Sequence, residues 1–325
     1  MGTLPVMNRR MKFGLLGLVL LVGCASRPKS PLAIKPPPAT RPVVTGSPVI
    51  DISRGGGGLP LDNSGDLASR QQLIDGLRKG YERRIALNDP LSWITLVGAD
   101  HRQLDLLKID LTNQAVRDDY KPSQYEKPGE PQPGIHADRF EYLAWPLLYK
   151  NGATRWRISA TDARFSLLHD KAGHDTLVLS EAKEGSFEFS VLLADIKPML
   201  QRTATSRSSA GFVLKDMDIS FASDNPKSLS VDVRVEALVL FVPTTFRMHA
   251  RADVDEWCNV RLSELSCTGD DPGGAVVAAL AEPALQKQNG KLLPLVKWPG
   301  DRMVIKDVRI TVDDALSINA TFGRQ

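Results

Sequence analysis

The sequence predicts an α+β fold: a large, curved antiparallel sheet built from helix-hairpin repeats and packed around two or three long helices. The first observation behind this is a six-residue pattern of Asp, apolar, charged, apolar, hydroxyl, apolar. It occurs at Asp162 to Leu167, Asp216 to Phe221 and Asp307 to Val312. The second is that each copy leads through a polar turn into another apolar segment, at Leu177 to Leu179, Leu229 to Val235 and Leu316 to Phe322. The third is an amphipathic segment ahead of the last two copies, at Val191 to Gln201 and Ala275 to Leu295, so the unit reads as a helix followed by a two-stranded hairpin. Those two copies also share a longer match, Val213-Leu214-Lys215-Asp216 against Val304-Ile305-Lys306-Asp307. Strand alternation makes short matches common, so unrelated hairpins remain an open alternative.

Taken in order, the chain opens with Arg9, Arg10 and Lys12, followed by an apolar run from Phe13 to Val22. That run has ten residues, against the ~20 a membrane-spanning helix needs, and it reads as a signal segment over residues 1–23. From Cys24 to Gly65 the chain is rich in Pro, with Pro36-Pro37-Pro38, and it closes on Gly55 to Gly58. At ~3 Å per residue this is a semi-rigid tether of up to ~100 Å. No Gly-Lys-Ser/Thr follows the glycines, so they are not a phosphate loop.

Residues 66–325 are expected to form one domain, with two similar halves at 66–205 and 206–325 as an alternative. A helix is expected from Asp66, capped by Ser64 or Asp66, with Leu67, Leu73, Ile74, Leu77, Tyr81 and Ile85 at helical spacing. It should end before Asn88-Asp89-Pro90. A short strand over Leu104 to Leu111 and a polar loop from Tyr120 to Gly134 come next. Leu229, Val231, Val233 and Val235 then alternate with Ser230, Asp232, Arg234 and Glu236, and Phe246 to Val254 does the same. Such strands have one dry face, and the helices are the expected cover.

The formal charge is +3 over 325 residues, and Arg9, Arg10 and Lys12 account for all of it. Five cations and two anions lie between Ala25 and Gly65, which leaves net −3 from Asp66 onward. A mildly acidic domain on a basic tether carries no electrostatic footprint for nucleic acid.

Leu21-Val22-Gly23-Cys24 resembles the lipobox of bacterial lipoproteins. The resemblance implies cleavage between Gly23 and Cys24, acylation of Cys24, and membrane attachment by several acyl chains where one would bind only reversibly. Ala25 stands where the family's inner-membrane retention signal places Asp, which implies the outer membrane and a periplasm-facing domain. Met7 or Met11 would give a leader of more usual length than Met1. In that oxidising compartment Cys258 and Cys267, which flank Asn259 to Ser266, are expected to form a structural disulfide.

The order of the C-terminal half, with alternating strands from Leu229 to Cys267, a helix over Ala275 to Leu295 and a closing hairpin over Val304 to Phe322, resembles tubular lipid-binding proteins. Family members hold acyl chains between helix and sheet. That implies a cavity here lined by Val231, Val233, Val235, Phe246, Met248, Val308, Ile310, Leu316 and Ile318. A filled core would show the same alternation, and both remain open.

No catalytic motif is present: no Gly-x-Ser-x-Gly, His-Glu-x-x-His or Ser-x-x-Lys occurs, and no cofactor is implied. His169-Asp170 and His174-Asp175 cluster in a segment that reads as a turn, not as a metal site. His101, His136 and His249 have no evident partners. Leu238 to Val242, an apolar run before Pro243, is either a lip facing a membrane or partner or a buried strand, and we read it as buried. The expected function is binding of a lipid or other hydrophobic ligand in the envelope. The alternatives are a non-catalytic scaffold or toxin-neutralising lipoprotein that docks an envelope protein, and an envelope hydrolase.

Overall fold

The computed structural model describes residues 44, 47–52, 58–62, 67–87, 93–119, 130–150, 152–169, 175–205, 212–299 and 302–325. The expected signal segment, Gly23 and Cys24 lie outside them.

Among the described residues there are eighteen strands and three helices. The helices are α1 (Arg70–Glu82), α2 (Leu193–Thr205) and α3 (Pro272–Gln288). The first nine strands are β1 (Ile50–Asp51), β2 (Leu59–Leu61), β3 (Ile85–Ala86), β4 (Ile94–Val97), β5 (Gln103–Asp110), β6 (Gln114–Val116), β7 (Gln132–Tyr149), β8 (Gly152–His169) and β9 (Asp175–Glu181). The remainder are β10 (Glu184–Leu192), β11 (Phe212–Ala222), β12 (Ser228–Val239), β13 (Val242–Val254), β14 (Asn259–Gly269), β15 (Leu292–Pro294), β16 (Val296–Lys297), β17 (Met303–Val312) and β18 (Ala315–Arg324).

The fold is therefore mostly β, and the expected α+β class is corrected. One sheet has eleven strands along the path β17-β18-β10-β8-β7-β5-β4, with β2, β3, β6 and β9 joined at its sides. A second sheet runs β11-β12-β13-β14-β15. β5 pairs with β7 in parallel, so the larger sheet is mixed. The strands alternate as expected, but the cover is different. The dry side chains of β12, Val231, Val233 and Val235, share one core with Phe189 and Val191 of β10, Val308 and Ile310 of β17, and Leu316 and Ala320 of β18. Sheet packs on sheet, and of the helices, which have 13, 13 and 17 residues, α2 adds Ile196 and Met199 and α3 adds Leu285 as buried residues of this core.

All three predicted hairpins form. Phe165 pairs with Leu179, Ile219 with Val233 and Ile310 with Ile318. In the last two copies the register shifts at the same place, between Leu214 and Asp216 and between Ile305 and Asp307. Lys215 and Lys306 are thus the extra residues of two equivalent bulges. The two halves do not separate, because β18 pairs with β10 across the expected division at residue 205.

A second core surrounds α1, where Leu73, Leu77 and Tyr81 are buried with Leu104, Leu107, Phe140 and Phe165. The α1 cap is Ser69, which accepts from Gln72 N, so the helix starts later than Ser64 or Asp66 would place it. The expected tether is also shorter. Leu59 and Leu61 are buried, β2 pairs with β9, and β1 pairs with β16. A Cβ on Gly80 would lie 2.4 Å from the Pro60 carbonyl oxygen, so α1 rests on β2 only because residue 80 lacks a side chain. Trp156, Phe187 and Ile305 pack against both cores, with Trp156 edge-on to Phe187 at 5.8 Å and to Phe189 at 4.6 Å.

Candidate functional site

The nine residues expected to line a ligand cavity lie together in the core between the sheets. Val231, Val233, Val235, Phe246, Val308, Ile310 and Leu316 are buried, and Met248 and Ile318 pack against them half-buried. They pack with Phe189, Val191, Ile196, Leu229 and Ala250 in one apolar cluster. Two concavities of the described surface lie elsewhere. One, of about 480 Å³, is bordered by Asp118, Leu148, Tyr149, Lys150, Asp195 and Arg202; the other, of about 50 Å³, is bordered by Trp257, Asn259, Trp298 and Met303. None of the nine residues lines either.

The expected disulfide is overturned. Cys258 and Cys267 are buried thiols not bonded to one another. One immediately precedes β14 and the other lies near its far end, so the strand holds them on the order of 30 Å apart. A disulfide needs Cα atoms about 5.5 Å apart. Burial raises the pKa of the Cys267 thiol.

The described histidines all have polar partners. His101 Nε2 is 2.6 Å from the Leu67 carbonyl oxygen, and its Nδ1 is 3.1 Å from Asp100. His136 meets Gln103 through Nδ1 and Asp162 through Nε2, at 2.7 Å for the latter. Asp162 is also 2.7 Å from Arg324, which reaches Glu181 at 2.6 Å. This chain of charges joins β5, β7, β8, β9 and β18. It holds the Asp162 carboxyl below its ordinary range, chiefly through the His136 hydrogen bond. The equivalent residue of each later repeat is also tied to a cation, Asp216 to Lys197 at 3.2 Å and Asp307 to Lys227 at 2.5 Å. The repeat's aspartate is a structural tie in all three places. His249 donates to Asp232 from Nδ1 (2.8 Å) and to Glu264 from Nε2 (3.4 Å) on the outer face of the smaller sheet. His169 Nδ1 lies 2.5 Å from Asp175, while residues 170–174 fall outside the described part. Among the described residues no group of three metal-ligating side chains forms.

The most unusual surface is apolar. Val239 pairs with Val242, which leaves Leu240 and Phe241 as a two-residue turn at φ of 50° and 70°. Such turns are ordinarily built from Asn and Gly, and left-handed backbone at bulky residues costs about 1–3 kcal/mol each. No burial offsets that cost, since Leu240 is 71% and Phe241 92% exposed. The reading of Leu238 to Val242 as a buried strand is corrected: its end is a projecting tip. A run of apolar residues gives no periodic signal, and this turn lacks the residues that announce one.

Beside the tip lies α3. Its cap, Asp271, accepts from Gly274 N at 2.6 Å and from Thr245 N of β13 at 2.6 Å. Those backbone donors lower the Asp271 pKa. A Cβ on Gly274 would lie 2.0 Å from the Thr245 carbonyl oxygen, so glycine lets the helix seat against the strand. Val277, Ala278, Ala281 and Leu285 face the sheet. The opposite side carries Ala275, Val276, Ala279, Leu280 and Pro283, with Val276 61% and Leu280 77% exposed. From Pro272 to Ala281 the helix is apolar on every side, and such a stretch is ordinarily buried. This one, with Leu240, Phe241 and Val242, forms an uncovered apolar surface at one end of the smaller sheet. No protein-family model, no curated protein and no solved structure matches the chain.

Proposed function

We propose that the protein is a lipid-anchored lipoprotein of the bacterial envelope that works through its outer surface, as a non-catalytic binding scaffold. The anchor is Cys24, in the lipobox-like Leu21-Val22-Gly23-Cys24, and the favoured address is the periplasmic face of the outer membrane. One observation carries the choice of scaffold over carrier. The nine side chains that would line an interior ligand site pack against each other and against Phe189, Val191 and Ile196. An acyl chain gains ~0.8 kcal/mol per methylene buried, which needs an opening among these residues, and neither concavity of the described surface is lined by any of the nine.

The test is native mass spectrometry of the full chain purified from a bacterial envelope, followed by lipid extraction. The expected result is a covalent acyl mass on Cys24 and no further lipid held non-covalently. A stoichiometric lipid lost on delipidation would return the protein to the carrier reading. An unmodified Cys24 would remove the anchor.

A further inference from the structure

We infer that the tip at Leu240 and Phe241 and the outer side of α3 form a second membrane contact, seated in the headgroup and acyl boundary of the bilayer that holds Cys24. The inference rests on the lipid-anchor reading proposed for Cys24. Three features of the molecule point to a lipid surface as the occupant.

The first is chemistry. The outward residues Val276, Ala279, Leu280 and Pro283 present hydrocarbon without a charge, and the tip beside them adds a leucine and a phenylalanine. An amphipathic element that lies in a membrane interface needs this kind of surface. The second is the border of the patch. Arg247 engages Asp270 at 3.0 Å and Arg234 engages Glu236 at 3.1 Å, while Asp271 is occupied by backbone donors. Two cations thus stand against three carboxylates, of which Asp271 is turned inward to its backbone donors, so the border carries a small net charge and no large single-sign field.

The third is reach. The chain enters the fold through Val49 and Ile50, which bond to Pro294 and Leu295 beside the Asn259 end of β14. The start of α3 lies at the Gly269 end, about 35 Å away along the strand, and the tip lies beyond it, about 45–50 Å away at ~3.3 Å per residue. The segment between Cys24 and Ser47 can extend to about 70 Å at ~3 Å per residue. A protein anchored at Cys24 can therefore lay this end on the same membrane.

The test uses the full chain, acylated at Cys24, in vesicles of phosphatidylethanolamine and phosphatidylglycerol at 3:1. A nitrobenzoxadiazole label is placed at Phe241→Cys and, as the control, at Glu256→Cys beyond the far end of β13. Cys258 and Cys267 are buried, so native labelling reaches only the new thiol. We expect the label at 241 to shift to the blue and to be quenched by doxyl-labelled lipid, and the label at 256 to do neither. Emission at 241 that matches water in the vesicles overturns the inference. So does a blue shift without vesicles, which would place a second copy of the chain on the patch.

The unacylated Cys24→Ser chain separates the two readings. It should bind the same vesicles weakly and lose at least tenfold in affinity with Leu240→Asn and Phe241→Gly together. That pair suits the turn, so the variant should melt at a higher temperature while it binds less well, a combination that misfolding cannot produce. If Cys24 carries no acyl chain yet this vesicle binding holds, the anchor falls and the membrane contact stands. If Cys24 is acylated and the pair of substitutions leaves vesicle binding unchanged, the contact falls and the anchor stands.

Discussion

Lys215 and Lys306 occupy one and the same position in two strands: each is the unpaired residue of a bulge, one place before the aspartate of its repeat. β11 and β17 are also the outermost strands of their sheets. A bulge with a lysine on an edge strand discourages pairing with another chain, so the match between the copies is a matched edge device as well as a sequence repeat.

Deleting Lys306 should close the bulge and leave a regular ladder, because Ile305 already lies opposite Phe322 and Asp307 opposite Thr321 on either side of it. Met303 and Ile305 keep their faces and their packing, so the urea midpoint should move little, while the straightened edge should aggregate more readily. Urea unfolding and light scattering measure the two. A large loss of stability would mean that Lys306 itself sets which face Met303 and Ile305 present.

Trp156→Ala should lower stability by about 3 kcal/mol or more, because the indole packs against both cores and donates to Thr154 Oγ1 at 3.0 Å. The remaining protein should still unfold in one transition. Near-ultraviolet circular dichroism in urea checks this, and two separated transitions in the unaltered protein would show that the cores are independent.

Cys258 and Cys267 should both react with iodoacetamide in denaturant without any reductant, and neither should react quickly when folded. Intact mass reads the number of adducts. A mass two hydrogens low and no adducts would restore the disulfide.

His249 should titrate above the ordinary histidine range, first because of its hydrogen bond with Asp232 on β12 and then because of Glu264 on β14. Arg247 and Arg251 flank it on its own strand, and Arg251 is held by Asp224 and Asp253. Because the folded pKa is raised, the stabilisation is full below about pH 6.5 and is lost as pH rises through the folded value. Proton NMR titration should show Asp232→Asn bringing His249 back down; an unmoved titration would exclude the contact in solution. The sign is opposite for Asp162, Asp216 and Asp307, whose lowered pKa values give stability that is lost as pH falls below the usual carboxylate range.

The hairpins were legible because Val231, Val233 and Val235 alternate with charged residues, and a two-residue period is the mark of a strand with one dry face. The cover over that face was not legible, since a helix or a second sheet will satisfy the alternation equally. β2 was hidden because Leu59-Pro60-Leu61 is short and stands in a Pro- and Gly-rich context. The histidine ties to Asp162 and Asp232 join different strands, so only the register reveals them. The apolar end was half legible: Leu238 to Val242 stood out as a run, but nothing in it marked Leu240 and Phe241 as a turn. The separation of the cysteines comes from placing both along one strand, which a count of residues between them does not establish.

The place of β18 has a consequence for how the chain acquires its shape. β18 lies between β17 and β10, and Arg324 closes the charge chain with Asp162 and Glu181. The edge of β10 therefore stays open until β18 has left the ribosome and crossed any membrane on its way. Pairing across so long a stretch of sequence is slow, and an exposed strand edge invites other chains in the meantime. Completion of the larger sheet waits on β18, and a chain cut short before that hairpin would be left with an adhesive edge.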